Sequence, residues 1–155
     1  MIRDARLSPK KKLMTDARAA IEICAVWNAR LAARRLTQFL TDHMKASELS
    51  VAQLGLMAQI AATSDDSLGA LAERSGLDPS TLSRNLQVLE REGLVETAAD
   101  ASDSRRRAVW LTEEGASRLE SALAEWRKAH AELAELINVG AVRRLAKATE
   151  RLAEG

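Results

Sequence analysis

The side chains best suited to chemistry in this chain lie between Pro79 and Arg91. At about 100° per residue, Ser80, Ser83, Arg84 and Gln87 fall on one side of a helix, with Thr81 and Asn85 on its flanks. Short hydroxyls, a guanidinium and an amide are the groups that hydrogen-bond base edges or grip phosphates. Leu82, Leu86 and Leu89 gather opposite, where a core belongs. Any amphipathic surface helix has a polar face, so this face alone decides nothing. A second feature follows it. The polar stretch AADASDSRRR, residues 98–107, ends in Arg105, Arg106 and Arg107 and separates two short runs with strand character, Leu94–Thr97 and Ala108–Leu111. Arginines on an exposed hairpin suit phosphate contacts or insertion into a narrow minor groove. A solvated charge run is the alternative, and the position beside such a helix argues against it.

The elements that position these groups are legible from local signals. Ser67 caps a short helix that ends at Ser75-Gly76-Leu77-Asp78. Glycine accepts a positive φ at a helix end. Asp78 can then cap the next helix, and Pro79 at its first position forfeits no hydrogen bond. Ala72 is small enough for the two helices to cross closely, with Leu71, Leu77, Leu82 and Leu86 between them. This is helix-turn-helix spacing, in which the second helix lies in the DNA major groove. Gly93 ends that second helix before the hairpin.

The run from Leu71 to Gly115 resembles the winged helix-turn-helix of the multiple-antibiotic-resistance regulator (MarR) family. The residues that carry the likeness are LAERSGLDPSTLSRNLQVLEREGLVE, then Asp103-Ser104-Arg105-Arg106, then Leu111-Thr112-Glu113-Glu114-Gly115. Asp103 and Arg105 match the family's D-x-R wing signature. The resemblance implies an ion pair that shapes the wing through Asp103 and a minor-groove or backbone contact through Arg105. It also implies Thr112 as the N-cap of a long helix after the wing. Asn85 departs from the pattern, where many members carry an aliphatic residue.

Composition sets the outer bounds. A chain of 155 residues suits one domain that needs no disulfide or metal to fold. The one cysteine excludes an intrachain disulfide, and no Cys/His cluster has zinc-ligand spacing. The net charge is only +1, but Arg84, Arg91 and Arg105 to Arg107 are concentrated in the proposed DNA lobe, and the local field counts more than the total. The N-terminus lacks an apolar signal core and no run is long enough to span a bilayer, so a cytoplasmic protein without membrane contact is expected.

The remaining segments read as follows. Residues up to about Leu13, with Pro9 and Lys10-Lys11-Lys12, read as a frayed basic arm. A long helix is expected over about 15–45, with Ile21, Cys24, Ala25, Leu31, Leu36, Phe39 and Leu40 wrapping more than one side. Ser50-Val51-Ala52-Gln53 is a capping box that opens a helix to about Thr63, with Leu54, Met57, Ile60 and Ala61 as its core stripe. From Thr112 to about Ile137, Leu119, Leu123, Trp126, His130, Leu133 and Ile137 form a heptad-like seam. Asn138-Val139-Gly140 breaks it. A last helix to about Ala153 carries Val139, Val142, Leu145 and Leu152 on one side.

The fold class expected is mainly α with a small β-hairpin wing. A single domain over 1–155 would hold a winged lobe at about 50–112 and dimerisation helices at about 15–45 and 113–153. The resemblance implies a homodimer on a pseudo-palindromic operator in double-stranded DNA, acting as a repressor released by a small aromatic effector. The candidates for sensing are Cys24, Trp27, His43 and Met57, with Trp126 and His130 behind them; packing is the alternative for each. Cys24 raises the possibility of a thiol-based peroxide-responsive regulator, although the chain has no tyrosine to support it. A sequence-independent architectural protein is a third reading. An enzyme is not expected, since no catalytic arrangement, phosphate loop or cofactor site is evident.

Overall fold

A computed structural model describes residues 7–63, 67–99 and 107–152. The chain divides into two compact units, residues 1–39 and 40–155.

The first unit is helical from Leu7, so the part of the expected arm from Leu7 to Leu13 is helix; residues 1–6 lie outside the described residues. Helix α1 runs Leu7–Ile23 and places Lys10, Lys11 and Lys12 within it. Pro9 is its third residue, where the missing N–H has no helical partner to lose. The expected single helix is interrupted at Cys24, and α2 continues as Ala25–His43. Asn28 accounts for the break locally: its Nδ2 donates to the carbonyls of Glu22 and Cys24, each at 2.9 Å. An asparagine side chain that competes for backbone carbonyls disturbs the helical ladder although no Gly or Pro is present.

In the second unit, α3 spans Val51–Ala61 under a complete capping box, with Ser50 and Gln53 each bonded to the other's backbone N–H. Leu54, Met57 and Ile60 are buried as expected, but Ala61 is exposed and Leu56 takes a core position. The reason is that α3 packs against three elements rather than one: the short helix α4 (Leu68–Ser75), the second hairpin strand and the long helix α6 (Glu113–Leu136). Next come α5, Pro79–Arg91, and the antiparallel pair β1 (Val95–Ala99) and β2 (Arg107–Leu111), in the register Val95↔Leu111 through Ala99↔Arg107. An isolated bridge, Ser67↔Ala108, ties the start of α4 to this hairpin.

The core lies among these elements and includes Met57, Leu71, Leu82, Leu86, Leu89, Leu94, Val109 and Leu119. Helix α6 starts on Thr112 and ends at an extended Ile137. The long helix breaks here as expected: Asn138 caps α7 (Val139–Thr149), with Val139 and Gly140 in its first turn. A 3-10 turn, Glu150–Leu152, follows it. No residue of α7 is buried. No helix of the described residues is long and apolar enough to cross a membrane.

Candidate nucleic-acid interface

The turn before α5 is built from short polar bonds. Gly76 adopts φ 63°, in the left-handed region that favours glycine, and its N–H donates to the Glu73 carbonyl at 3.3 Å. Asp78 then collects four donors. Its Oδ1 accepts from the N–H groups of Ser80 (3.1 Å) and Thr81 (3.0 Å) and from Ser80 Oγ (2.6 Å), while Oδ2 accepts from Thr81 Oγ1 (2.6 Å). The hydroxyls of Ser80 and Thr81, followed by the backbone N–H groups, stabilise the carboxylate and hold its pKa far below the usual range.

That cap changes the roles available on the polar face. Ser80 and Thr81 direct their hydroxyl protons to Asp78, and Ser80 Oγ also accepts from Arg84 Nη2 at 3.2 Å. Arg84 Nε donates to the Ser80 carbonyl at 3.3 Å, laying the guanidinium back along the first turn. Ser83, Arg84 and Gln87 are exposed together, Thr81 and Asn85 are half-buried, and Leu82, Leu86 and Leu89 are buried on the other side. The periodicity therefore divides α5 as the sequence predicts. Among the described residues, the groups on α5 best placed to reach outward are Ser83, Arg84 and Gln87.

The hairpin is fixed to the lobe through Thr112 and Gly115. Gly93 takes φ 70° after α5, and its carbonyl accepts from Thr112 Oγ1 at 2.7 Å. The same Thr112 oxygen accepts from the Gly115 N–H at 2.9 Å, capping α6. Across the ladder, Trp110 Nε1 donates to Glu96 Oε2 at 3.1 Å. Arg107 begins β2, is exposed, and its Nη2 donates to Thr97 Oγ1 at 2.7 Å. Thr97 Oγ1 in turn donates to Glu90 on α5. Asp103, Arg105 and Arg106 lie outside the described residues. A groove of about 320 Å³ runs between α4, α5 and the hairpin, with Leu82 and Leu86 in its lining and Ser83, Gln87, Glu90, Thr97 and Arg107 as polar groups.

The sensing candidates occupy different settings. In the first unit Cys24 is half-buried at the helix break and Trp27 is exposed. In the second, Met57 is fully buried in the core, and His43 Nε2 lies 3.5 Å from Glu132 Oε2. The rings of Trp126 and His130 meet at a tilt of 36°, with centroids 4.6 Å apart. Sequence reasoning passed over Arg118, which bonds both Glu114 (2.7 Å) and Glu48 (3.0 Å), and the Glu90–Thr97–Arg107 contacts. Only the Glu114–Arg118 pair carries a sequence signal, the i,i+4 spacing of opposite charges.

The family model described as "MarR family" matches residues 47–106, which hold α3, the helix-turn-helix and the first hairpin strand. The crystal structure of the M. tuberculosis transcriptional regulator MosR in complex with DNA superposes with a TM-score of 0.75. It is 34% identical in sequence, and the match covers 84% of this chain and 96% of that one. A mutant of E. coli MarR complexed with operator DNA shares the fold at TM-score 0.71 with 21% identity, over 86% of this chain and 96% of that one. The Escherichia coli transcriptional regulator HosA is 38% identical over 76 residues, 49% of this chain and 56% of HosA. The chain thus spans about half the length of the curated relatives it matches. A helix-turn-helix joined to a two-stranded wing defines the class, that of winged helix-turn-helix proteins. The chain belongs to the MarR family.

Proposed function

We propose that this MarR-family regulator binds a pseudo-palindromic operator in double-stranded DNA as a homodimer and represses transcription there, in the cytoplasm. The observation that carries this reading is the exposed Ser83, Arg84 and Gln87 face of α5 beside a hairpin that begins β2 with Arg107. A helix of this width fits the major groove, and its arginine and amide can form bidentate bonds to base edges. The arginines at 105–107 neutralise phosphates or enter the flanking minor groove, which makes binding strongly salt-dependent. Arg105 takes the contact and Asp103 shapes the wing, as the family signature implies.

Dimerisation is supported by large apolar side chains that are exposed among the described residues. Ile23 and Trp27 in the first unit and Leu145 and Leu152 at the C-terminal end are 81, 60, 54 and 80% exposed. Surfaces of this kind mark interaction sites. A two-fold dimer presents its two α5 helices about one DNA turn apart. The reading extends to a small aromatic effector that shifts the dimer between DNA-binding and non-binding arrangements. Nuclease footprinting on the DNA upstream of the coding sequence tests the proposal. Two protected half-sites one helical turn apart support it, and loss of protection with an aromatic carboxylate supports the effector. A single unsplit footprint, or protection of every fragment alike, counts against a dimeric sequence-specific regulator.

A further inference from the structure

A three-residue relay joins α5 to the hairpin. Arg107 Nη2 donates to Thr97 Oγ1 at 2.7 Å, and that hydroxyl passes its own proton toward Glu90 Oε1. Arg107 and Thr97 are diagonal neighbours on one face of the ladder, because Arg107 pairs with Ala99 and Thr97 pairs with Val109. Glu90 lies in the last turn of α5. One hydroxyl is therefore held between a cation and an anion, and both bonds are charge-assisted. The three side chains also line the groove between α5 and the hairpin, so at this point the two elements face each other across open space. The relay is a polar link across it. Electrostatics alone gives Glu90 no place here: a carboxylate on a helix that faces phosphates opposes binding. Its bond to Thr97 supplies a reason for an acid at this position.

We propose that Glu90, Thr97 and Arg107 form a positioning relay that fixes the hairpin relative to α5 and so sets the distance between the major-groove and wing contacts. Arg107 on this account holds the hairpin to α5 rather than acting only as one more phosphate contact. The proposal rests on the DNA-binding reading above.

The test compares the full-length protein with Thr97→Val, Thr97→Ser and Glu90→Ala. Valine keeps the shape of threonine and suits a strand, so the fold survives. Each variant is titrated with the footprinted upstream fragment at two salt concentrations, and its melting temperature is recorded. Thr97→Val is expected to weaken binding about tenfold and to lower the salt slope by about one, with the melting temperature nearly unchanged. Thr97→Ser restores binding to within about twofold, since it keeps the hydroxyl. Glu90→Ala weakens binding even though it removes a negative charge. Wild-type affinity and slope in Thr97→Val, or tighter binding by Glu90→Ala, would overturn the relay. Amide hydrogen exchange separates this from a failure of the DNA-binding reading. Faster exchange over residues 95–99 and 107–111 in Thr97→Val, with α5 unchanged, supports the relay whatever the DNA does. Unchanged exchange sinks it even if the wild type binds operator.

Discussion

A Cβ placed on Gly115 would lie 1.9 Å from the carbonyl oxygen of Leu94. Helix α6 meets the chain leaving α5 at this point, where Thr112 N–H also donates to the Leu94 carbonyl at 3.1 Å. The glycine lets two backbones approach closely, and through them α6 holds the base of the wing against the lobe.

Gly115→Ala is therefore expected to destabilise the protein. Alanine gains about 1 kcal/mol of helix propensity over glycine, but the clash is with backbone, which cannot rotate away, and overpacking of this kind costs about 3 kcal/mol or more. The steric effect wins. Gly55→Ala is the control: a Cβ there meets nothing within 4 Å, so the same substitution should stabilise by about 0.5–1 kcal/mol. Thermal denaturation of the two variants checks the opposite signs.

Asp78 provides a pH signature. Its carboxylate is stabilised in the folded state by Ser80 and Thr81, which lowers its pKa. A lowered folded value means that the stabilisation is present above the unfolded value, about 3.9, and is lost as pH falls through the folded one. Melting temperatures of the wild type and Asp78→Ala should differ by several degrees at neutral pH and converge as the solution is acidified below about pH 4. A gap that stays constant down to strong acid would show that the cap does not act through the ionised carboxylate.

Arg84 and Arg105 separate reading from gripping. Arg84→Ala should cost about 1–3 kcal/mol on the operator and relax base preference, whereas Arg105→Ala should weaken all sequences alike and flatten the salt dependence. Competition titrations with operator and random DNA distinguish the two. Equal losses on both DNAs for both variants would remove the division of labour.

Leu145 tests the assembly. It is 54% exposed on a helix with no buried residue. If α7 is covered by a second copy, Leu145→Glu replaces about 2 kcal/mol of apolar burial with a desolvated charge and should raise the dimer dissociation constant at least tenfold. Sedimentation equilibrium reads this directly, and an unchanged mass would place the interface elsewhere.

The parts of the fold legible in the sequence are those set by neighbours three or four residues apart. The Ser50–Gln53 box, the Asp78-Pro79 start, the Thr112 cap and the apolar side of α5 are all local. Gly115 was visible as part of a motif, and its physical reason emerged only with Leu94 beside it. The break at Cys24 was hidden because an asparagine four residues later, rather than a glycine or proline, causes it. Leu56 is buried and Ala61 exposed, against a single-face stripe, because a helix covered on three sides does not follow one face. The pairings Ser67↔Ala108, Glu48–Arg118 and Glu90–Thr97–Arg107 join residues distant in sequence and left no periodic trace. The polar side of α5 follows from its periodicity, whereas the engagement of Ser80 and Thr81 by the cap depends on hydroxyl geometry that periodicity does not carry.

The central claim is sequence-specific recognition through α5. Its most direct test is a titration of the purified protein against its own upstream DNA and a scrambled duplex of equal length, each at two salt concentrations. Tight, salt-sensitive binding confined to the upstream fragment is the expected result. Equal, weak binding to both duplexes would contradict it and leave the polar face of α5 as an ordinary solvated surface.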